Sequence, residues 1–119
     1  MPPSRKYRPD VYEMRKDAER LLDYEELSHE ECANLAAIET RAWTRFEAGG
    51  PRMPDGMVKC FWFAVCLQAI EECRDLPALL GTDEVTPAAV TSFFDEHWQK
   101  YDPLNPDNVQ HVDNHNANQ

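Results

Sequence analysis

Apolar residues recur at helical spacing from residue 10 onward. The first apolar positions lie three and four residues apart and are Val11, Met14, Ala18, Leu21 and Leu22. This spacing places them on one face of a helix and predicts helix 1 over residues 10–24. Arg15 and Glu19 lie four residues apart in this segment. We expect these two side chains to pair on the solvent side of the helix.

The second helix has the clearest start signal in the chain. Ser28 and Glu31 have the spacing of a capping box, in which each side chain accepts from the other residue's backbone N–H. Gly49-Gly50-Pro51 then supplies a left-handed residue and a stop. We therefore predict helix 2 over residues 29–48, with Glu39 interrupting its apolar face.

The third periodic segment is apolar almost throughout. Residues 58–70 contain only two polar side chains, Lys59 and Gln68. The length of the segment and its Ala, Leu, Gln and Glu content favour helix 3 over residues 57–74. The run 60–67, rich in Phe, Trp and Val, is also compatible with a buried strand. A helix that is apolar on all sides has to be surrounded, so we expect helix 3 at the centre of the fold.

The remaining signals complete an all-α prediction. Pro77 to Leu80 resembles one helical turn closed by Gly81, and Thr86-Pro87 places an N-cap and a first-turn proline before a last helix. This helix ends before Asp102-Pro103 and carries a broad aromatic face. The prediction is a compact bundle of four to five helices over residues 10–101 with helix 3 central. We expect residues 1–9 to form a basic extended arm and residues 102–119 a flexible polar tail.

Charge separates the arm from the rest of the chain. The sequence has 12 Lys and Arg against 22 Asp and Glu, a net charge of −10. Three of the basic residues lie in the first eight, which leaves the remainder at −13. An acidic body repels nucleic acid and anionic lipid, because both are polyanions. The arm 5–8, with Arg, Lys and Tyr, has a composition that can grip phosphate. We expect it to dock on the acidic helices or to remain solvated.

The sequence also predicts a cytoplasmic protein without a membrane partner. Its longest uninterrupted apolar run has eight residues, 60–67, too few to span a bilayer. No apolar run follows the basic N-terminus, as a signal peptide would require. The four cysteines are then expected to be reduced, and three of them lie in the apolar third helix.

No residue pattern predicts an enzyme or a cofactor site. His97, beside Asp95-Glu96, is the best single candidate for a general base, but it has no identifiable nucleophile partner and is expected to be structural. The spacings that could hold a metal lack zinc-site geometry and are better explained as core or tail residues. These spacings are His29/Cys32, Cys66/Cys73 and His111/His115.

The densest run of like charge is the candidate partner-binding site. Residues 17–31 contain seven acids against Arg20 alone and are expected to form a helical ridge. The seven acids are Asp17, Glu19, Asp23, Glu25, Glu26, Glu30 and Glu31. They favour a partner protein with a basic surface. An exposed aromatic residue, Trp43 or Trp98, would supply the apolar anchor.

Three functions are compatible with this pattern. The first is an acidic interaction module that covers a basic, nucleic-acid-binding surface, as an inhibitor from a phage or mobile element would. The second is an assembly protein, a monomer or small homo-oligomer that associates or chaperones through helical aromatic surfaces. The third is a minor enzyme or metal protein centred on His97 or the cysteines. The acidic charge on its own is also compatible with a role in solubility alone.

Overall fold

The computed structural model describes residues 8–102 and 105. Within these residues the fold is all-α, which confirms the predicted class. The described residues contain six α-helices followed by one 3-10 turn, Gln99–Tyr101. The helices are α1 (Val11–Leu22), α2 (His29–Ala36), α3 (Thr40–Glu47), α4 (Asp55–Glu72), α5 (Leu76–Leu80) and α6 (Pro87–Trp98). Most of the predicted arm and tail lies outside the described residues.

The predicted cap signals are confirmed in the structure. Ser28 and Glu31 form the reciprocal capping box of α2, and the Thr86 side chain accepts from the N–H of Ala89 at the start of α6. Gly81 closes α5 in the left-handed conformation, with φ +70°. These local bonds satisfy helix-end groups that would otherwise lack partners, which explains why sequence spacing alone located them.

The predicted helix 2 is wrong as a single element. It consists of α2 and α3, which meet at Ala37, a non-glycine residue with φ 60°. The Ala37 N–H donates to the Asn34 carbonyl and the Ile38 N–H to the Ala33 carbonyl, so the end of α2 is closed in the manner that glycine usually provides. The break lets α3 pack against α2, which brings Trp43 into the core with no exposed surface.

The predicted helix 3 corresponds to α4, and its central position is confirmed. It packs against α1, α2 and α6. Phe61 and Trp62 are fully buried, and the Trp43 and Phe61 ring centroids lie 4.9 Å apart. The expectation that α4 is surrounded on all sides is wrong. Phe63 is 56% exposed and Leu67 44% exposed, because the described elements cover only part of the helix circumference.

Candidate functional site

The structure divides the seven predicted acids into two groups. Five are exposed, on the loop between α1 and α2 and on the first turn of α2, and we call these the acidic face. The acidic face consists of Asp23, Glu25, Glu26, Glu30 and Glu31. Asp17 and Glu19 belong instead to α1 and make internal contacts. The expected continuous helical ridge is wrong, since residues 24–28 form no helix.

The buried side chain of Glu19 on α1 holds the loop between α1 and α2 in place. This side chain is 8% exposed, and Oε2 accepts a hydrogen bond from the Leu27 N–H at 2.8 Å. Lys16 lies 3.3 Å from the other carboxylate oxygen, Oε1, and Arg15 pairs with Oε2 at 3.5 Å. Burial opposes the charge, but the Leu27 N–H and Lys16 outweigh it and lower the pKa of Glu19. This carboxylate is therefore occupied within the protein.

Asp17 also makes internal contacts, on the other side of α1. Its carboxylate accepts from the Tyr101 hydroxyl and from Arg20. The first contact joins α1 to the 3-10 turn that follows α6. Asp17 is thus half-buried and neutralised in part by Arg20, which leaves it little attraction for a partner.

A buried ion pair joins α1 to α3. Glu47 accepts from Arg15 Nε at 3.1 Å and from Arg15 Nη2 at 2.6 Å, and both side chains are only 10% exposed. Trp43 Nε1 donates to the same carboxylate at 2.9 Å, and His29 Nε2 lies 3.2 Å from it. The hydrogen bond with Glu47 raises the pKa of Arg15. Burial disfavours the Glu47 charge, yet Arg15 and Trp43 prevail and lower its pKa. The pairing of Arg15 with Glu19 exists, but the expected solvent-side location is wrong, because α3 covers it.

The loop that carries the acidic face is fixed at both ends. Asp23 ends α1 in the left-handed conformation, and Leu27 is 1% exposed. Between them, the Tyr24 hydroxyl donates to Glu72 at 2.6 Å and accepts from Gln68 at 2.7 Å, both on α4. The hydrogen bond with Glu72 is the main reason that the pKa of Tyr24 is raised. These contacts hold Glu25 and Glu26 on an ordered turn.

A groove of about 330 Å³ lies between α2 and α4 beside this face. Apolar side chains contribute to it from both helices, while Glu31, Asn34 and Gln68 add polar groups. Its lining residues are Leu27, Glu31, Asn34, Leu35, Ala64 and Gln68. The acidic face therefore adjoins an open surface with some apolar character.

His97, the candidate general base, and two of the four cysteines pack against side chains of the core. His97 packs between Trp62, with ring centroids 5.8 Å apart, and Phe93, at 4.9 Å. Burial lowers its pKa, and the ring is half-buried. The thiols of Cys32 and Cys66 are buried, which raises the pKa of each to about 12 and keeps them protonated at neutral pH.

The possible metal spacings do not assemble into a cluster. Within residues 8–102 and 105, no three His, Cys, Asp or Glu side chains come together as a potential metal site. His29 hydrogen-bonds Thr44 through Nδ1 at 2.9 Å and pairs with Glu47 through Nε2. His111 and His115 lie outside the described residues. No helix in the described part of the chain has both the length and the apolar content that crossing a bilayer requires.

The expected aromatic anchors are wrong. Trp43 has no exposed surface and Trp98 is 8% exposed. The exposed large apolar side chains near one another are Phe63 and Leu67 on α4. These two residues were not predicted, because the apolar composition of α4 indicated a helix buried on all sides. The available signal was Lys59 and Glu71, which lie four residues before Phe63 and four after Leu67 and indicate a solvent-facing side.

Comparison with known protein families, with curated proteins and with solved structures gives no match to this chain.

Proposed function

We propose that this protein is an acidic interaction module that covers a basic surface of a partner protein. The observation that carries the proposal is the acidic face itself. Residues 21–38 contain the five acids of this face and no Lys or Arg, and all five acids are exposed. Because no Lys or Arg of this segment neutralises these acids, a partner would supply the positive charge that faces them. Such pairing of opposite charges favours fast, salt-dependent association.

The buried contacts support this function by fixing the shape of the face. Glu19 and Tyr24 tie the loop to α1 and α4, so its exposed acids do not have to be ordered on binding. An ordered surface loses less conformational entropy when a partner docks. Asp17 and Glu19 are left out of the proposed contact because their charges are used internally.

In its narrower form the proposal concerns a nucleic-acid-binding partner. Carboxylates on an ordered surface carry the same sign of charge as phosphates, so they can occupy a surface that otherwise binds a polyanion. A protein of this kind would act as an inhibitor, as a phage or mobile-element product directed against a host complex would. It would not bind DNA itself.

Charge reversal at matched positions tests the proposal. Glu25, Glu26 and Glu30 are exposed and make no side-chain hydrogen bond or ion pair with other described residues. Once a pull-down from the native host has identified the partner, reversing all three to Lys should slow association with it and reduce the salt dependence of the affinity. The control reverses three exposed acids elsewhere, with the same change in net charge. These control residues are Asp83, Glu84 and Glu96.

The outcomes separate the functions. Equal effects of the two triple variants would show that net charge, rather than the acidic face, drives binding. No effect of either would leave the acids as a solubility device. Release of the partner by double-stranded DNA would support the inhibitor form. Tight binding of the protein to DNA at physiological salt would contradict the proposal.

Self-assembly is a second candidate function, favoured by a different observation. Phe63 is more than half exposed and makes an edge-to-face contact with Phe94 of α6, at 5.8 Å between ring centroids. An exposed aromatic residue beside an exposed Leu67 is typical of a contact surface. Light scattering over a range of protein concentrations tests this function, since a dedicated self-assembler should not remain a monomer.

A further inference from the structure

The exposed side of α4 forms a defined stripe. Counting 100° per residue, the exposed members of this stripe fall within an arc of about 120° around the helix. They run from one charged residue to another of opposite sign, with apolar groups between. The α4 stripe consists of Lys59, Cys60, Phe63, Leu67 and Glu71, with half-buried Ile70 on the same face.

The order of charged and apolar residues along this stripe is complementary to the same order in reverse. Lys59 and Glu71 lie six residues on either side of position 65, and Phe63 and Leu67 lie two residues on either side of it. Cys60 and Ile70 lie five residues on either side. Reversing the helix direction about this point therefore places each apolar residue opposite another and each charge opposite its counter-charge.

A two-fold axis performs this reversal. In an isologous contact, residue i of one copy meets residue j of the other, and j meets i. We infer that two copies of this chain associate through antiparallel α4 helices, with Phe63 packed on Leu67 of the second copy and Lys59 paired with Glu71 of the second copy. The second copy thus supplies the counter-charges of Lys59 and Glu71.

The local position of Lys59 is compatible with this contact. Its ammonium lies 4.8 Å from the Trp98 ring centroid while the residue remains exposed. A flexible lysine can keep its stem on the aromatic ring and still direct its charge outward. The dimer thus needs no rearrangement of the core.

The surrounding charge limits the strength of the dimer. Each chain carries −10, so two copies repel one another at low salt. One helix pair also buries less surface than a standard interface of about 1,600 Å². We therefore expect a weak dimer whose affinity rises as salt screens the repulsion, which is the opposite of the salt dependence proposed for the acidic face.

The inference rests on the self-assembly function but goes beyond it by naming the contact. Sedimentation of the full chain from about 10 µM to 1 mM, at low and high salt, measures dimerisation. Phe63→Glu and, separately, Leu67→Glu should each weaken the dimer more than 20-fold. Val85→Glu introduces the same charge at a residue that is 46% exposed outside the stripe and should change the dimer constant less than threefold. Circular dichroism melting of each variant verifies folding.

A charge swap tests the antiparallel register. Lys59→Glu alone and Glu71→Lys alone should each weaken the dimer about fivefold relative to controls with the same change in net charge. These controls are Arg41→Glu and Glu84→Lys, both at exposed residues outside the stripe. The double variant Lys59→Glu/Glu71→Lys has the wild-type net charge and recreates the pair in reverse. It should restore the dimer constant to within threefold of wild type.

Three results would overturn the inference. A monomer at 1 mM protein in high salt would exclude both this dimer and self-assembly. An oligomer unchanged by Phe63→Glu and Leu67→Glu would exclude the α4 contact and leave self-assembly standing. A double charge swap no tighter than the weaker single variant would exclude the antiparallel register.

Discussion

Removing the charge of Glu47 tests whether the buried ion pair holds α1 to α3. The variant Glu47→Gln keeps an oxygen that can accept from Trp43 but leaves the Arg15 guanidinium without its bidentate partner. Both side chains are about 10% exposed, so water compensates little. Breaking a buried pair by removing one partner costs about 3–5 kcal/mol. Glu19 still lies 3.5 Å from Arg15, which places our expectation near the lower end, about 3 kcal/mol.

Urea unfolding followed by tryptophan fluorescence measures this loss directly. A loss of about 3 kcal/mol corresponds to a fall in the melting temperature of about 12 °C for a domain of this size. The matched control is Glu39→Gln. Glu39 pairs with Arg41 at 3.6 Å, but these side chains are 79% and 81% exposed. An exposed pair contributes little, so the control should stay within about 0.5 kcal/mol of wild type.

A double variant locates the effect in the pair. Arg15→Met combined with Glu47→Gln removes both charges, so its cost should be smaller than the sum of the single variants by at least about 1 kcal/mol. The pKa of Glu47 is lower in the folded protein than in the unfolded chain, where it is about 4.5. The contribution of the ionised Glu47 to the free energy of unfolding is therefore complete above about pH 4.5 and should be lost as the pH falls below that value. Additive single effects, or a Glu47→Gln loss below about 1 kcal/mol, would refute the reasoning.

Three further predictions concern the core and its boundaries. Phe61→Ala should cost about 3–5 kcal/mol in urea unfolding because the ring is fully buried, whereas Phe63→Ala, at an exposed ring, should cost less than about 1 kcal/mol; equal losses would contradict the observed orientation of α4. Ala37→Gly should raise the free energy of unfolding by about 1 kcal/mol, since glycine tolerates the left-handed φ of 60° that alanine resists; a destabilised variant would argue against this helix end. The pKa of His97 is lowered in the folded protein, so the folded state binds this proton less readily than the unfolded chain does. Stability should therefore fall as the pH drops below about 6.5. The variant His97→Phe should lose this part of the pH dependence in thermal melts.

The acidic face was partly predictable because charge density is a local property. Seven acids within residues 17–31 could be read from the sequence, and the capping box located the start of α2 among them. Which acids remain exposed depends on contacts between distant residues. The Glu19 carboxylate accepts a hydrogen bond from the Leu27 N–H. The neighbouring Arg15 pairs with Glu47, which lies 32 residues from Arg15 along the chain.

The sequence by itself determined the all-α class, the caps and the central helix, because helical period and cap chemistry act within a few residues. Only the tertiary structure decided where the predicted second helix breaks and how much of the circumference of α4 is covered. The break at Ala37 has no glycine or proline to mark it and follows from packing α3 back on α2. Likewise, Phe63 and Leu67 are as apolar as Phe61. Their exposure arises because α1, α2 and α6 cover one side of α4 and leave the other open.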